Sequence, residues 1–135
     1  MSFVLDCSVA LAWIMPDEDD PRADAVLDRL RDEVAVVPTL WPLEVGNVLL
    51  MGIRRSRITE SEAAQAIHDL RALPIEIDRK THEHTFDKTS ELALQHRLTL
   101  YDAAYLELAV RRKLQLSTLD EALGAACRAV GIELI

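Results

Sequence analysis

Four short apolar runs, Ser2–Leu5, Val34–Val37, Ile75–Ile77 and Leu116–Thr118, are separated by long stretches at helical spacing and never by a tight two-residue turn. Such spacing rules out a hairpin meander and predicts parallel strands, because parallel neighbours need a crossover connection. The local signals agree. Pro16 and the acidic stretch Asp17 to Asp20 end a first helix over Ser8–Ile14, and Asp20 followed by Pro21 opens a second. A helix from Pro42 to about Ser56 is apolar almost all round and calls for cover on more than one side. Thr59 with Glu62 forms a capping box for a helix to about Ala72, which Pro74 ends. A long helical segment over about His84–Arg97, a helix capped by Thr99 with Asp102, and a last helix over about Asp120–Val130 follow. Gly131 stops that helix, and Ile132–Ile135 is expected to add an edge strand. The fold class is thus α/β: a three-layer α/β/α sandwich with a mostly parallel central sheet, built as a single domain over residues 1–135.

Four acids stand out against this frame: Asp6, Glu44, Asp102 and Asp120. The three aspartates each sit at a helix start closely preceded by an apolar or strand-like run, and in an alternating chain such starts gather at one edge of the sheet. Each has a plain structural explanation. Asp6 or Ser8 could cap the first helix, Asp102 completes the Thr99 box, and Thr118 pairs as well with Glu121, leaving Asp120 as a first-turn acid. Glu44 resists that account, being the only acid in an apolar helix, with Asn47 one turn along the same face. Carboxylates gathered in space repel, and a divalent cation among them relieves the repulsion. Hard oxygen donors without His or Cys favour Mg²⁺ or Mn²⁺ over Zn²⁺. Such an ion can acidify a water and neutralise charge on a phosphate, so the chemistry suggested is phosphodiester hydrolysis. Asp6 and Asp102 are the expected direct ligands, Glu44 a ligand or water-orienting base, Asp120 a weaker or second-metal ligand, and Ser8 and Asn47 supports for the carboxylates.

Charge narrows the partner classes. Fifteen Lys and Arg face 23 Asp and Glu, a net −8, and with the four acids set aside 15 against 19 still leaves −4. General positive charge therefore cannot hold nucleic acid, and contact needs a local basic patch or a bound metal. Arg54, Arg55 and Arg57, and likewise Arg111, Arg112 and Lys113, end helices, where positive charge also complements the helix dipole. Cys7 and Cys127 lack metal or CxxC spacing and point to a reducing compartment, the cytoplasm by default. No signal-like segment and no bilayer-length apolar stretch is expected. His68, His82, His84 and His96 form no paired-ligand pattern and are expected at the surface.

Together the VLDCS segment around Asp6, PLEVGNVLL around Glu44, LTLYDAAYLELA around Asp102 and LSTLDEAL around Asp120 resemble the PIN domain, and within it the VapC-type toxins of toxin-antitoxin pairs. The resemblance spans the whole chain. It implies a Mg²⁺- or Mn²⁺-dependent endoribonuclease, a homodimer, held inactive by a cognate antitoxin protein. Asp6, Glu44, Asp102 and Asp120 match the family's acidic quartet, and Ser8 and Asn47 its supporting polar residues. Trp41, Leu49, Met51 and Ile53 are either ordinary core or part of a groove for a partner helix or second copy. The alternatives are a catalytically silent PIN-like binding scaffold and, less well supported, a phosphotransfer domain.

Overall fold

All four strands of this computed structural model, which describes residues 1–135, run parallel in the order β3-β2-β1-β4. They are β1 (Ser2–Leu5), β2 (Val34–Pro38), β3 (Ile75–Asp78) and β4 (Gln115–Ser117). Successive strand residues point to opposite faces, yet Phe3, Val4, Leu5, Ala35, Val36 and Val37 are all fully buried. Both faces of the central strands are therefore covered, as a three-layer sandwich requires. The covering helices are α1 (Cys7–Ile14), α2 (Pro21–Arg29), α3 (Trp41–Arg54), α4 (Glu60–Arg71), α5 (Thr81–His84), α6 (Ser90–His96), α7 (Leu100–Arg112) and α8 (Glu121–Ala129). The chain builds β1, β2 and β3 in one direction and then returns to place β4 on the far side of β1. That reversal opens a crevice beyond the carboxyl ends of β1 and β4, the usual ligand position in such sheets.

Most helix starts follow the sequence signals. Asp20 accepts from the Arg22 amide with Pro21 leading α2, and Thr59 and Glu62 form a reciprocal capping box. Two expectations need correction. The segment foreseen over His84–Arg97 begins at Thr81 and contains a π turn over Thr85–Thr89. There the Ser90 hydroxyl donates to the Thr85 carbonyl and the Thr85 hydroxyl to the Thr81 carbonyl, so side chains bond backbone oxygens within the widened turn. The last residues form no strand. Ile132 is still tied to Cys127 by the turn at Gly131, and only Leu134 pairs with Leu116. The cover on more than one side that α3 calls for is present, from α1 and α4: Trp41, Val45 and Leu49 are buried, while Leu43 and Leu50 face solvent.

A charged network locks α7 to β3. Asp78 and Glu107 are both buried, and the Arg111 guanidinium donates to both carboxylates at 2.9–3.1 Å, with Arg112 also against Asp78 at 3.4 Å. Arg111 and Arg112 are thus committed to internal acids, which removes them as a free phosphate-binding pair. Burial alone would raise the Asp78 pKa, but the Arg111 bonds, the Lys80 amide and the two arginine charges outweigh it and hold it below the ordinary value. Removing one partner of a buried pair strands the other charge. Arg111→Ala should therefore cost about 3–5 kcal/mol in urea unfolding at neutral pH. A loss under about 1 kcal/mol would contradict this. Because the Asp78 pKa is lowered, its contribution is complete above the ordinary carboxylate value and disappears as pH falls through the lower folded value.

Candidate active site

Asp6 is the hub of the crevice. Its amide donates to the Ser117 carbonyl at 3.0 Å, continuing the β1–β4 pairing by one residue, and its side chain is almost wholly buried. It occupies the N-cap position of α1 but makes no side-chain capping bond. Its Oδ2 instead accepts from the Ser8 hydroxyl at 2.6 Å and the Thr118 hydroxyl at 2.7 Å. Each hydroxyl is itself fixed: Ser8 accepts from the Leu119 amide and Thr118 from the Asp120 amide, both at 3.0 Å. The loop after β4 is thereby clipped to the end of β1. Capping does not explain why Asp6 is there.

The other three acids converge on it from helix starts. Asp120 is the N-cap of α8, accepting from the Leu123 amide at 2.8 Å, so the Thr118–Glu121 box suggested by the sequence does not form. Asp102 lies in the first turn of α7. Its amide donates to the Thr99 hydroxyl at 3.1 Å, but the return bond from its carboxylate to the Thr99 amide, which would complete the box, is absent. Glu44 lies in the first turn of α3, because that helix begins at Trp41, and its Oε1 accepts from the hydroxyl of Tyr105 on α7. All four are therefore helix-start acids. Ser8 joins the group as expected, whereas Asn47 is exposed and makes no hydrogen bond to it.

Tyr105 and Thr118 were not foreseen as site residues. Tyr105 reads as one more member of the apolar face of α7, and it is fully buried; that its hydroxyl ends against Glu44 depends on a tertiary contact with no local signal. The signal for Thr118 was present but reads as a cap.

Electrostatics shows that the acids share one field. Burial raises the Asp6 pKa, the Ser8 and Thr118 bonds oppose it, and the Asp120 charge adds to it. Burial raises Glu44 against the Tyr105 bond, with the Asp6 and Asp102 charges assisting. Burial, Asp6 and Asp120 raise Asp102. No arginine, lysine or histidine pairs with any of the four. An uncompensated carboxylate cluster is the donor set that Mg²⁺ or Mn²⁺ fits. The side chains are not a closed cage, since no three His, Cys, Asp or Glu groups stand ready to grip one ion together. Mg²⁺ does not require one, for it commonly keeps several waters and takes one or two carboxylates.

A family model described as PIN domain matches residues 3–129. Ribonuclease VapC3 of Pyrobaculum aerophilum is 29% identical over 123 residues, spanning 91% of this chain and 92% of the relative. Ribonuclease VapC1 of Mycobacterium tuberculosis is 31% identical over 123 residues and 90% of each chain. Among solved structures, a Pyrobaculum aerophilum protein superposes with a TM-score of 0.69 at 21% identity, over 93% of this chain and 84% of its own. VapBC2 from Rickettsia felis, solved bound to a DNA fragment from their promoter, gives a TM-score of 0.60 at 14% identity over 100% and 98%. At those identities the two structures share the fold.

Two outcomes test the cluster. Raised carboxyl pKa values mean that the metal-free folded chain holds protons more tightly than the unfolded chain, so stability falls as pH rises from the ordinary carboxylate range through the raised values. The ion-paired acids, whose values are lowered, have finished titrating below that window. In EDTA the thermal midpoint should fall as pH rises above the ordinary carboxylate range. Asp6→Asn should flatten the slope; a profile rising with pH would refute the shared field. Separately, Tyr105→Phe keeps the ring and should leave the thermal midpoint near the parent's. Calorimetric Mn²⁺ affinity should fall about tenfold, the usual scale for losing an outer support of a ligand.

Proposed function

The chain belongs to the PIN domain family, in its VapC branch, and on that footing we propose that it is a Mg²⁺- or Mn²⁺-dependent endoribonuclease, the toxin half of a toxin-antitoxin pair. The observation that carries the reading is the group of carboxylates around Asp6, whose charges raise one another's pKa values and which no Lys, Arg or His side chain pairs with. Asp6 and Asp102 would hold the ion directly, with Glu44 and Asp120 completing the set. When bound, such an ion supplies an acidified water and charge neutralisation at the phosphate.

The chain's own groups define the rest. Ser8 and Thr118 occupy Oδ2 of Asp6 and leave Oδ1 free of side-chain donors. Tyr105 occupies Oε1 of Glu44 and leaves Oε2 to orient the attacking water and take its proton. Asp120, exposed at the lip, is the weakest holder and fits a second ion or the leaving side of the phosphate. Asn47 would join the site only once substrate or ion is bound.

The substrate assigned here is RNA and the controlling partner a cognate antitoxin protein. A groove of about 500 Å³, lined by Trp41, Val45, Leu49, Leu70, Ile75 and Ile77, supports a protein partner. The fold is shared with the VapBC2 assembly. We assign the working form as a homodimer, checked by light scattering, in the cytoplasm, a setting suited to the free thiols of Cys7 and Cys127. No helix is long and apolar enough to cross a membrane.

Incubating the purified chain with total RNA should give fragments with Mg²⁺ or Mn²⁺ and none in EDTA. Asp6→Ala should lower the rate at least about 10³-fold, as expected when an electrostatic centre of this kind is dismantled, with Asp120→Asn losing less. Undiminished cleavage by Asp6→Ala would end the nuclease assignment, and metal-independent binding without cleavage would favour a silent scaffold.

A further inference from the structure

A chain with net charge −8 gains nothing from general attraction to a phosphate backbone, so affinity for RNA must come from local contacts: a bound ion, basic side chains such as Arg22 and Arg128 that share a cavity with Asp120, or contacts to the bases. Stacking of bases on aromatic rings is the main sequence-tolerant alternative. The chain has six aromatic residues, and four are unsuited: Phe3, Tyr105 and Trp41 are buried, and Trp13 is partly buried with its indole N–H donating to the Ala23 carbonyl. Phe86 is exposed, in the turn between α5 and α6. Tyr101 is 66% exposed in the first turn of α7, immediately before Asp102.

Helix geometry places Tyr101 further. Residues four apart share a helix face, one turn and about 6 Å apart along the axis. Tyr105 uses that face to reach Glu44, so Tyr101 stands one turn nearer the open start of the helix, above the Tyr105–Glu44 bond. Leu43, 78% exposed, adjoins Glu44 on the facing helix, and half-exposed Leu100 adjoins Tyr101. Exposed apolar side chains thus stand at the starts of both helices that carry Glu44 and Asp102.

We infer that Tyr101 is a stacking platform for an unpaired base of the RNA next to the scissile phosphate. The inference rests on the nuclease reading for its substrate, but its test does not depend on turnover. In an Asp6→Asn background, a fluorescein-labelled, unstructured 12-nucleotide RNA is titrated by anisotropy, and Tyr101→Ala should weaken binding about tenfold, the worth of one stacked base. Tyr101→Phe, which keeps the ring, should bind as its Asp6→Asn parent does. The same strand annealed to its complement should bind more weakly and be indifferent to Tyr101. With active protein, the Tyr101→Ala loss should appear in KM, and the Mn²⁺-induced thermal shift should persist, separating the platform from the metal site. Equal RNA affinity in Tyr101→Ala would overturn the inference, as would a change confined to oligomeric state by light scattering, which would mark Tyr101 as a protein contact. Should the parent cleave nothing, the nuclease reading falls while the anisotropy comparison still decides the platform.

Discussion

Mutual repulsion around Asp6 is the constraint on which the arrangement depends. A buried carboxylate with three acidic neighbours is a position that an unconstrained chain would relax away from. Here the backbone prevents it. The parallel pairing of Leu5 with Ser117 and the Asp6 amide bond to the Ser117 carbonyl hold the end of β1 beside β4. The Ser8 and Thr118 hydroxyls then fix one oxygen of the carboxylate. The rigidity of a doubly covered sheet is what allows four like charges to be presented together.

The two walls of the crevice are joined by a neutral donor. Tyr105 is buried so completely that its hydroxyl stays protonated, and burial together with the surrounding acids pushes its pKa up. It can therefore donate to Glu44 without adding charge of either sign. A lysine at that position would neutralise the cluster and compete with a cation; a phenylalanine would leave Glu44 free to swing. The choice of a phenol ties α3 to α7 while preserving the negative field.

The element order and the sheet's parallel character were legible because consecutive apolar residues and cap signals are local properties. Val34–Val37 reads as a strand and forms one, and Thr59 with Glu62 caps as read. Asp6, Asp102 and Asp120 were legible as a group for a different reason, that helix starts in an alternating chain share an edge, whereas Glu44 stood out as an acid in an otherwise apolar helix face. What escaped depends on tertiary partners. The Tyr105 hydroxyl finds Glu44 across 61 residues, the π turn at Thr85–Thr89 is settled by hydroxyl bonds, and Ile132–Ile135 pairs at one residue only. Whether Asn47 faces the crevice was equally beyond helical periodicity, which gives a side but not its surroundings.

A second group of buried acids in the same chain shows what distinguishes a site from a strut. Asp78 and Glu107 are as buried as Asp6 and equally unexpected in a core, yet both are met by the Arg111 guanidinium. There the local charge is offset inside the protein, and the Asp78 pKa lies below its ordinary value. Around Asp6 no basic side chain is supplied, and three pKa values move the opposite way. Burial is common to both groups, so burial does not separate them. The difference is whether the fold itself provides the opposing charge, and where it does not, the charge has to arrive with a ligand.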